Sequence, residues 1–263
     1  MWRSGGYPTS ARPRERRGAR ERNRGETALK IAATADVHAR AGDIEHLRAI
    51  AEAAGRDADV LVIGGDLTDL GKPEEAKVLV QALEDCSVPI VATLGNHDHE
   101  SSDAATLSRL ITDFGIHLLD RSSVVIDGVG FAGVKGFCGG FDQALANAFG
   151  EDLFKAWVTE GLMEARALES ELRGIETERR VAVLHYAPVR ATVEGEPPEI
   201  FPFLGSSHLA DALDHGGAHV AFHGHAHNGS FAGETPGGVP VFNVSVPVLK
   251  SEGFEQPYFV FEV

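Results

Sequence analysis

Apolar residues in this chain fall into short unbroken runs separated by stretches where they recur every three or four positions. Residues 29–35, 60–64 and 88–94 are runs of the first kind, and each reads as a buried strand. Between them, residues 44–54 put Ile44, Leu47 and Ile50 on one helical face, residues 73–83 carry Pro73 in a first turn, and residues 104–114 are again helical. Strand and helix alternating three times predict parallel strands joined by crossover helices. The rhythm then changes. Residues 124–127 and 129–134 form a predicted hairpin at Asp127-Gly128. After Gly136, Gly139 and Gly140, a long helical pattern with Leu153, Trp157 and Met163 among its apolar positions ends near Gly174. Strands are predicted at 181–184, 219–222, 239–244 and 258–263, with a short helix at 209–213. With no internal repeat and no second linker, one α/β domain over residues 28–263 is expected.

Composition narrows the class. The 263 residues are 43% hydrophobic, the balance of a globular protein with one large core. No run approaches the ~18 apolar residues of a membrane span, and the start lacks the apolar core of a secretory signal. Cys86 and Cys138 cannot make a disulfide framework and point to a reducing cytoplasm. Residues 1–25 hold eight arginines against two glutamates, while the chain as a whole is −15. Residues 1–27 are therefore expected to be a disordered Arg-rich leader on a strongly acidic body. That acidity argues against wide contact with nucleic acid.

The candidate chemistry sits at predicted strand ends. The first strand runs into Asp36-Val37-His38, the second into Gly65-Asp66 and the third into Gly95-Asn96-His97-Asp98. Asp36, Asp66 and Asn96 are each 30 residues apart, the length of one strand–helix–strand unit. Such units would set all three at the carboxyl edge of one sheet, where open α/β folds bind ligands. Two later strands end in His185 and in Gly224-His225-Ala226-His227. Carboxylate, amide and imidazole donors without thiolates suit divalent Mn, Fe or Zn. Two such ions about 3.5–4 Å apart activate a shared water and stabilise charge on a phosphoryl oxygen. Period-two geometry is expected to put both side chains of D-x-H, and both rings of G-H-x-H, on one side of an extended segment.

The ordered blocks D-x-H, G-D, G-N-H-D, H and G-H-x-H resemble those of the calcineurin-like metallophosphoesterases, from Asp36 to His227. The resemblance implies a four-layer α/β/β/α sandwich, two mixed sheets flanked by helices. It implies one metal ion on Asp36, His38 and His227, a second on Asn96, His185 and His225, and Asp66 bridging them. It further implies hydrolysis of a small phosphate ester by a metal-bridging hydroxide, with His97 as general acid and Asp98 orienting its ring.

The second block continues Leu67-Thr68-Asp69-Leu70-Gly71. Leu70 stands where the related protein phosphatases carry an arginine that clamps a phosphate dianion. The spelling is closer to the bacterial class III cyclic-nucleotide phosphodiesterase branch, so a phosphodiester is the favoured substrate. Lys135, in the stretch 135–141, and Arg190, in 186–207, are candidate substrate cations from loops between the metal strands. His99 reads equally as a rim group or a loop residue, and His223 as a structural histidine. Two rivals remain: a nuclease, supported only by the leader, and a non-catalytic scaffold, which would normally have lost ligands that are all present here. A homodimer is compatible with the sequence.

Overall fold

The computed structural model describes residues 28–263, so the predicted disordered leader lies outside the described residues. In chain order the elements are β1 Lys30–Thr34, α1 Ile44–Asp57, β2 Val60–Gly64, α2 Pro73–Ala82, β3 Ile90–Thr93, α3 Ala104–Phe114 and β4 His117–Leu118. There follow β5 Ser122–Ile126, β6 Val129–Gly133, α4 Asp152–Gly174, β7 Arg179–Val183, α5 Phe201–Leu204 and α6 Ser207–Gly216. The chain ends with β8 Val220–His223, β9 Ala232–Glu234, β10 Pro240–Asn243, α7 Val246–Ser251 and β11 Phe259–Glu262.

Two mixed sheets result. One has the order β11-β1-β2-β3-β4, with β1 to β4 parallel and β11 antiparallel. The other has the order β5-β6-β7-β8-β10-β9, with β6, β7, β8 and β10 parallel between antiparallel edges. Side-chain alternation explains the unbroken apolar runs. Ile31, Ala33, Val60, Val62 and Val91 face the other sheet, where they meet Phe131, Val181, Val183, Val220 and Phe222. The intervening Ala32, Leu61, Ile63 and Ala92 pack instead under α1, α2 and α3. On the second sheet Ala132, Ala182 and Ala221 pack under α4 and α6. Strands buried on both faces need apolar residues at every position, and four layers follow. This is the α/β/β/α sandwich.

The helices bury the stripes their spacing dictates. In α1, Leu47, Ile50, Ala51 and Ala54 are buried at i, i+3, i+4 and i+7. In α4 the buried line is Val158, Gly161, Ala165, Leu168 and Leu172. Leu153 and Met163 lie off that line and are 84% and 45% exposed. The short elements β4, β9, α5 and α7 escape the sequence reading, being too short to show a period. The third strand is also shorter than expected: it begins at Ile90, after Pro89, which has no N–H to give a ladder.

β2 lies over β7 and β3 over β6. The carboxyl ends of the parallel strands in both sheets therefore open onto one edge.

Candidate metal centre

The loops leaving β1 and β2 are stitched together by backbone before any side chain takes part. The amides of Asp36, His38 and Ala39 donate to the carbonyls of Gly65, Asp66 and Leu67, each at 3.0 Å. To run this way Asp36, His38 and Asp66 take φ of 59°, 42° and 47°, and His225 on the opposite sheet takes 70°. This corrects the expectation of extended D-x-H and G-H-x-H segments. The side chains converge because left-handed residues curl the chain, at a strain of order 1–3 kcal/mol each. The glycines of the motifs serve clearance. A Cβ on Gly65 would strike the His185 ring, one on Gly95 the Asp66 carboxylate, and one on Gly224 the Asp36 carboxylate. Each block thus makes room for a side chain supplied by another.

Five of the predicted ligands are drawn close together. Donor atoms of Asp36, His38 and His227 lie within 4.8 Å of one another, and so do those of Asp36, Asp66 and His185. Buried Asp36 holds His227 Nε2 at 2.9 Å from Oδ1, and both its oxygens accept from the His225 amide at 3.1 Å. His185 is fully buried. Its Nε2 lies 3.3 Å from Asp66 Oδ1 and 2.9 Å from Asn96 Oδ1, while Nδ1–H donates to the Gly64 carbonyl at 3.1 Å. His225 stacks beside His185 at 4.9 Å between ring centroids and donates from Nε2 to the Phe203 carbonyl at 3.2 Å. It joins none of the close groups among the described residues.

These contacts leave lone pairs facing lone pairs. Burial holds the His185 pKa well below its usual value and pushes that of His225 down to about 3, so both rings are neutral. With its one proton on the Gly64 carbonyl, His185 presents an unshared pair at Nε2 to the Asn96 amide oxygen, which also only accepts. Burial, and then the neighbouring Asp36 and Asp98, drive Asp66 far above the ordinary carboxylate range. His38 is the clearest case. Nε2 is 3.8 Å from Asp66 Oδ2, Nδ1 is 3.8 Å from Asp69 Oδ1, and both nitrogens are buried without a hydrogen-bond partner among the described residues. Crowded carboxylates, neutral imidazoles and orphaned nitrogens form a donor set that divalent cations satisfy.

His97 departs from expectation in one respect. Its Nδ1–H donates to the backbone carbonyl of Asp69 at 2.6 Å, and its Nε2 lies 4.0 Å from Asp66 Oδ2. Asp98 does not touch the ring. Its buried carboxylate accepts from the amides of Leu67, Thr68 and Gly95 at 3.1, 2.8 and 2.8 Å and from the Thr68 hydroxyl at 2.6 Å. It clamps the second block to the third. Asp69, unassigned from the sequence, does what was expected of Asp98, and its side chain also pairs with Arg40 at 2.7 Å. The contact runs through the Asp69 main-chain oxygen, so residue type carried no signal of it. Tyr186 was also missed; it follows His185 and packs on the His225 ring at 4.5 Å between centroids. His223 has both ring nitrogens engaged at 2.8 Å, to the Gly224 carbonyl and the Thr192 hydroxyl. Arg190 lies over the Phe201 ring, 3.9 Å from Glu194.

A family model described as calcineurin-like phosphoesterase matches residues 29–229. The chain belongs to that family, whose members hydrolyse phosphoesters with a dinuclear metal centre. No curated protein matches it. Among solved structures, TT1561 of Thermus thermophilus is similar at 14% identity, over 90% of this chain and 99% of that one, with a TM-score of 0.54. A putative 5'-nucleotidase from Staphylococcus aureus in complex with alpha-ketoglutarate is similar at 13% identity, over 82% of this chain and 48% of that one, with a TM-score of 0.51. At these identities the likeness is one of fold. Among the described residues no helix is long and apolar enough to cross a membrane.

Proposed function

We propose that the protein is a two-metal phosphodiesterase. The observation that carries the metal centre is His38, whose two buried nitrogens have no hydrogen-bond partner among the described residues and stand between the Asp66 and Asp69 carboxylates. Asp36, His38 and His227 would hold one ion; Asn96, His185 and His225 would hold the other; Asp66 would span both. Ions bound there supply an activated water and positive charge against the phosphoryl oxygens. The protein's own part is positional. The Asp69 carbonyl fixes the His97 ring with its proton on Nδ1 when neutral, so the second proton of the imidazolium sits on Nε2. That atom faces the Asp66 side of the centre and is placed to protonate a departing oxygen.

The preference for diesters rests on Leu70. Its side chain is 39% exposed and brings no charge, and the nearby Arg40 is already paired with Asp69. A monoester dianion carries one more charge than a diester, with no fixed cation from this loop to meet it. One charge-assisted hydrogen bond is worth about 1.5–3 kcal/mol, or roughly ten- to a hundredfold in kcat/KM. The test compares p-nitrophenyl phosphate with its bis ester and a 2',3'-cyclic nucleotide under saturating Mn²⁺. The diesters should win by that factor, and a tenfold preference for the monoester would overturn the assignment.

A further inference from the structure

Next to the loop that carries His225 and His227 lies a buried polar cluster outside the ligand set. β8 and β10 run parallel and end in register at His223 and Asn243. Both residues are fully buried, as is Thr192, which joins them from the short turn Arg190–Val193. Strands covered on both faces are otherwise apolar, and burying polar side chains is costly unless each is hydrogen-bonded. Here the hydrogen bonds go to the ligand loop itself.

That loop leaves β8 in a tight curl. His225 has φ of 70°, and Gly224 lies so near Asp36 that a Cβ there would strike the carboxylate. Within the curl the Gly224 carbonyl accepts from the Ala226 amide at 2.8 Å, and the Ala226 carbonyl from the Gly229 amide at 3.1 Å. A carbonyl has a second lone pair, and in both cases a cluster side chain takes it. His223 Nδ1–H donates to the Gly224 carbonyl at 2.8 Å, and Asn243 Nδ2–H to the Ala226 carbonyl at 2.8 Å. Each anchored carbonyl belongs to the residue before a proposed ligand. It therefore shares a rigid peptide plane with the amide of His225 or of His227.

The anchors are themselves held. His223 Nε2 meets the Thr192 hydroxyl at 2.8 Å, and Asn243 Nδ2 also donates to the Thr192 carbonyl at 3.4 Å. Asn243 Oδ1 accepts from the Ser245 amide at 3.1 Å. Ser245 bridges to Ala35, whose carbonyl accepts from the Val246 amide at 3.1 Å. Ala35 immediately precedes Asp36. The cluster thus ties the histidine loop of one sheet to the aspartate strand end of the other.

On the metal-centre reading proposed above, we infer that His223 and Asn243 are positioning residues. By fixing the Gly224 and Ala226 peptide planes, they set the direction in which the His225 and His227 rings are presented.

An amide can replace either half of an imidazole, and the test uses that. In His223→Asn the side-chain nitrogen reaches the place of Nδ1; in His223→Gln it reaches that of Nε2. Mn²⁺ affinity of the full-length protein is measured by calorimetry, beside the melting temperature of the metal-free form. His223→Gln and the near-isosteric Asn243→Leu should each weaken Mn²⁺ binding by about 10–100-fold, whereas His223→Asn should stay close to wild type. Wild-type affinity in His223→Gln or Asn243→Leu, whatever happens to the melting temperature, overturns the inference. So does an equal loss of affinity in both His223 variants. Should these variants not fold, Thr192→Val keeps both residues and removes only the partner of His223 Nε2. It should lower affinity by a smaller factor, and wild-type affinity there overturns the inference too. Wild type that binds neither Mn²⁺ nor Zn²⁺ defeats the metal-centre reading itself, and the positioning role with it.

Discussion

The two sheets contribute opposite chemistries to one edge. The first supplies Asp36, Asp66 and Asn96 from strand ends spaced at 30 residues, and burial, with Asp36 and Asp98 close by, makes Asp66 resist ionising. The second supplies His185, His225 and His227 at irregular intervals. Burial keeps the first two neutral, whereas the hydrogen bond to Asp36 raises the pKa of His227. Neither side is complete. The acids need positive charge, and the neutral rings offer lone pairs but almost no protons. Without cations this edge is electrostatically frustrated, and the frustration is shared across the sheet interface rather than held by one loop.

Removing the charge that both halves share should disrupt that pairing most. Asp66→Asn should reduce turnover to background in metal-matched assays. It should also stabilise the metal-free protein at alkaline pH. The sign follows from the raised pKa: the folded state holds a proton that the unfolded carboxyl releases above about 3.9, so stability is lost as pH rises. The neutral amide escapes that loss. A metal-free variant melting below metal-free wild type at pH 8 would contradict this account. The same linkage predicts that wild type releases protons as it takes up Mn²⁺ and binds it more tightly at higher pH. Calorimetry in buffers of different ionisation enthalpy measures the proton count.

His97 lies beside the charge pairing without being needed to hold it. His97→Ala should retain both metals by elemental analysis yet slow esters with poor leaving groups by ~10²–10⁴-fold. p-Nitrophenyl esters, which leave without a proton, should slow less. Loss of both metals would move His97 among the ligands. The smallest expected effect concerns the clamp that holds the acid-bearing loops in register. Thr68→Val removes one of four donors to the buried Asp98 carboxylate and should destabilise the fold by about 1–3 kcal/mol. Activity should change little once the protein is folded. A large kcat loss at unchanged melting temperature would show that Asp98 acts on His97 after all.

The sequence was most legible where local pattern and chemistry coincide. Unbroken apolar runs announced doubly buried strands, and equal spacing announced repeated strand–helix units. The hairpin at Asp127-Gly128 and the stripe of α1 were readable from turn chemistry and helical period. A candidate site was legible because donors of metal-binding type followed each of those strands. Three things required the folded chain. Left-handed φ at Asp36, His38, Asp66 and His225 depends on pairing between loops, which no local pattern encodes. The partner of His97 is a backbone carbonyl, and a main-chain oxygen has no letter in a sequence; the neighbouring Asp98 was the visible but wrong choice. Last, the clearance that Gly65, Gly95 and Gly224 give to His185, Asp66 and Asp36 joins residues 120, 29 and 188 positions apart. Residue type and spacing determine which groups reach the edge; only tertiary packing decides which atoms meet there, because those contacts form between segments that the chain itself does not make neighbours.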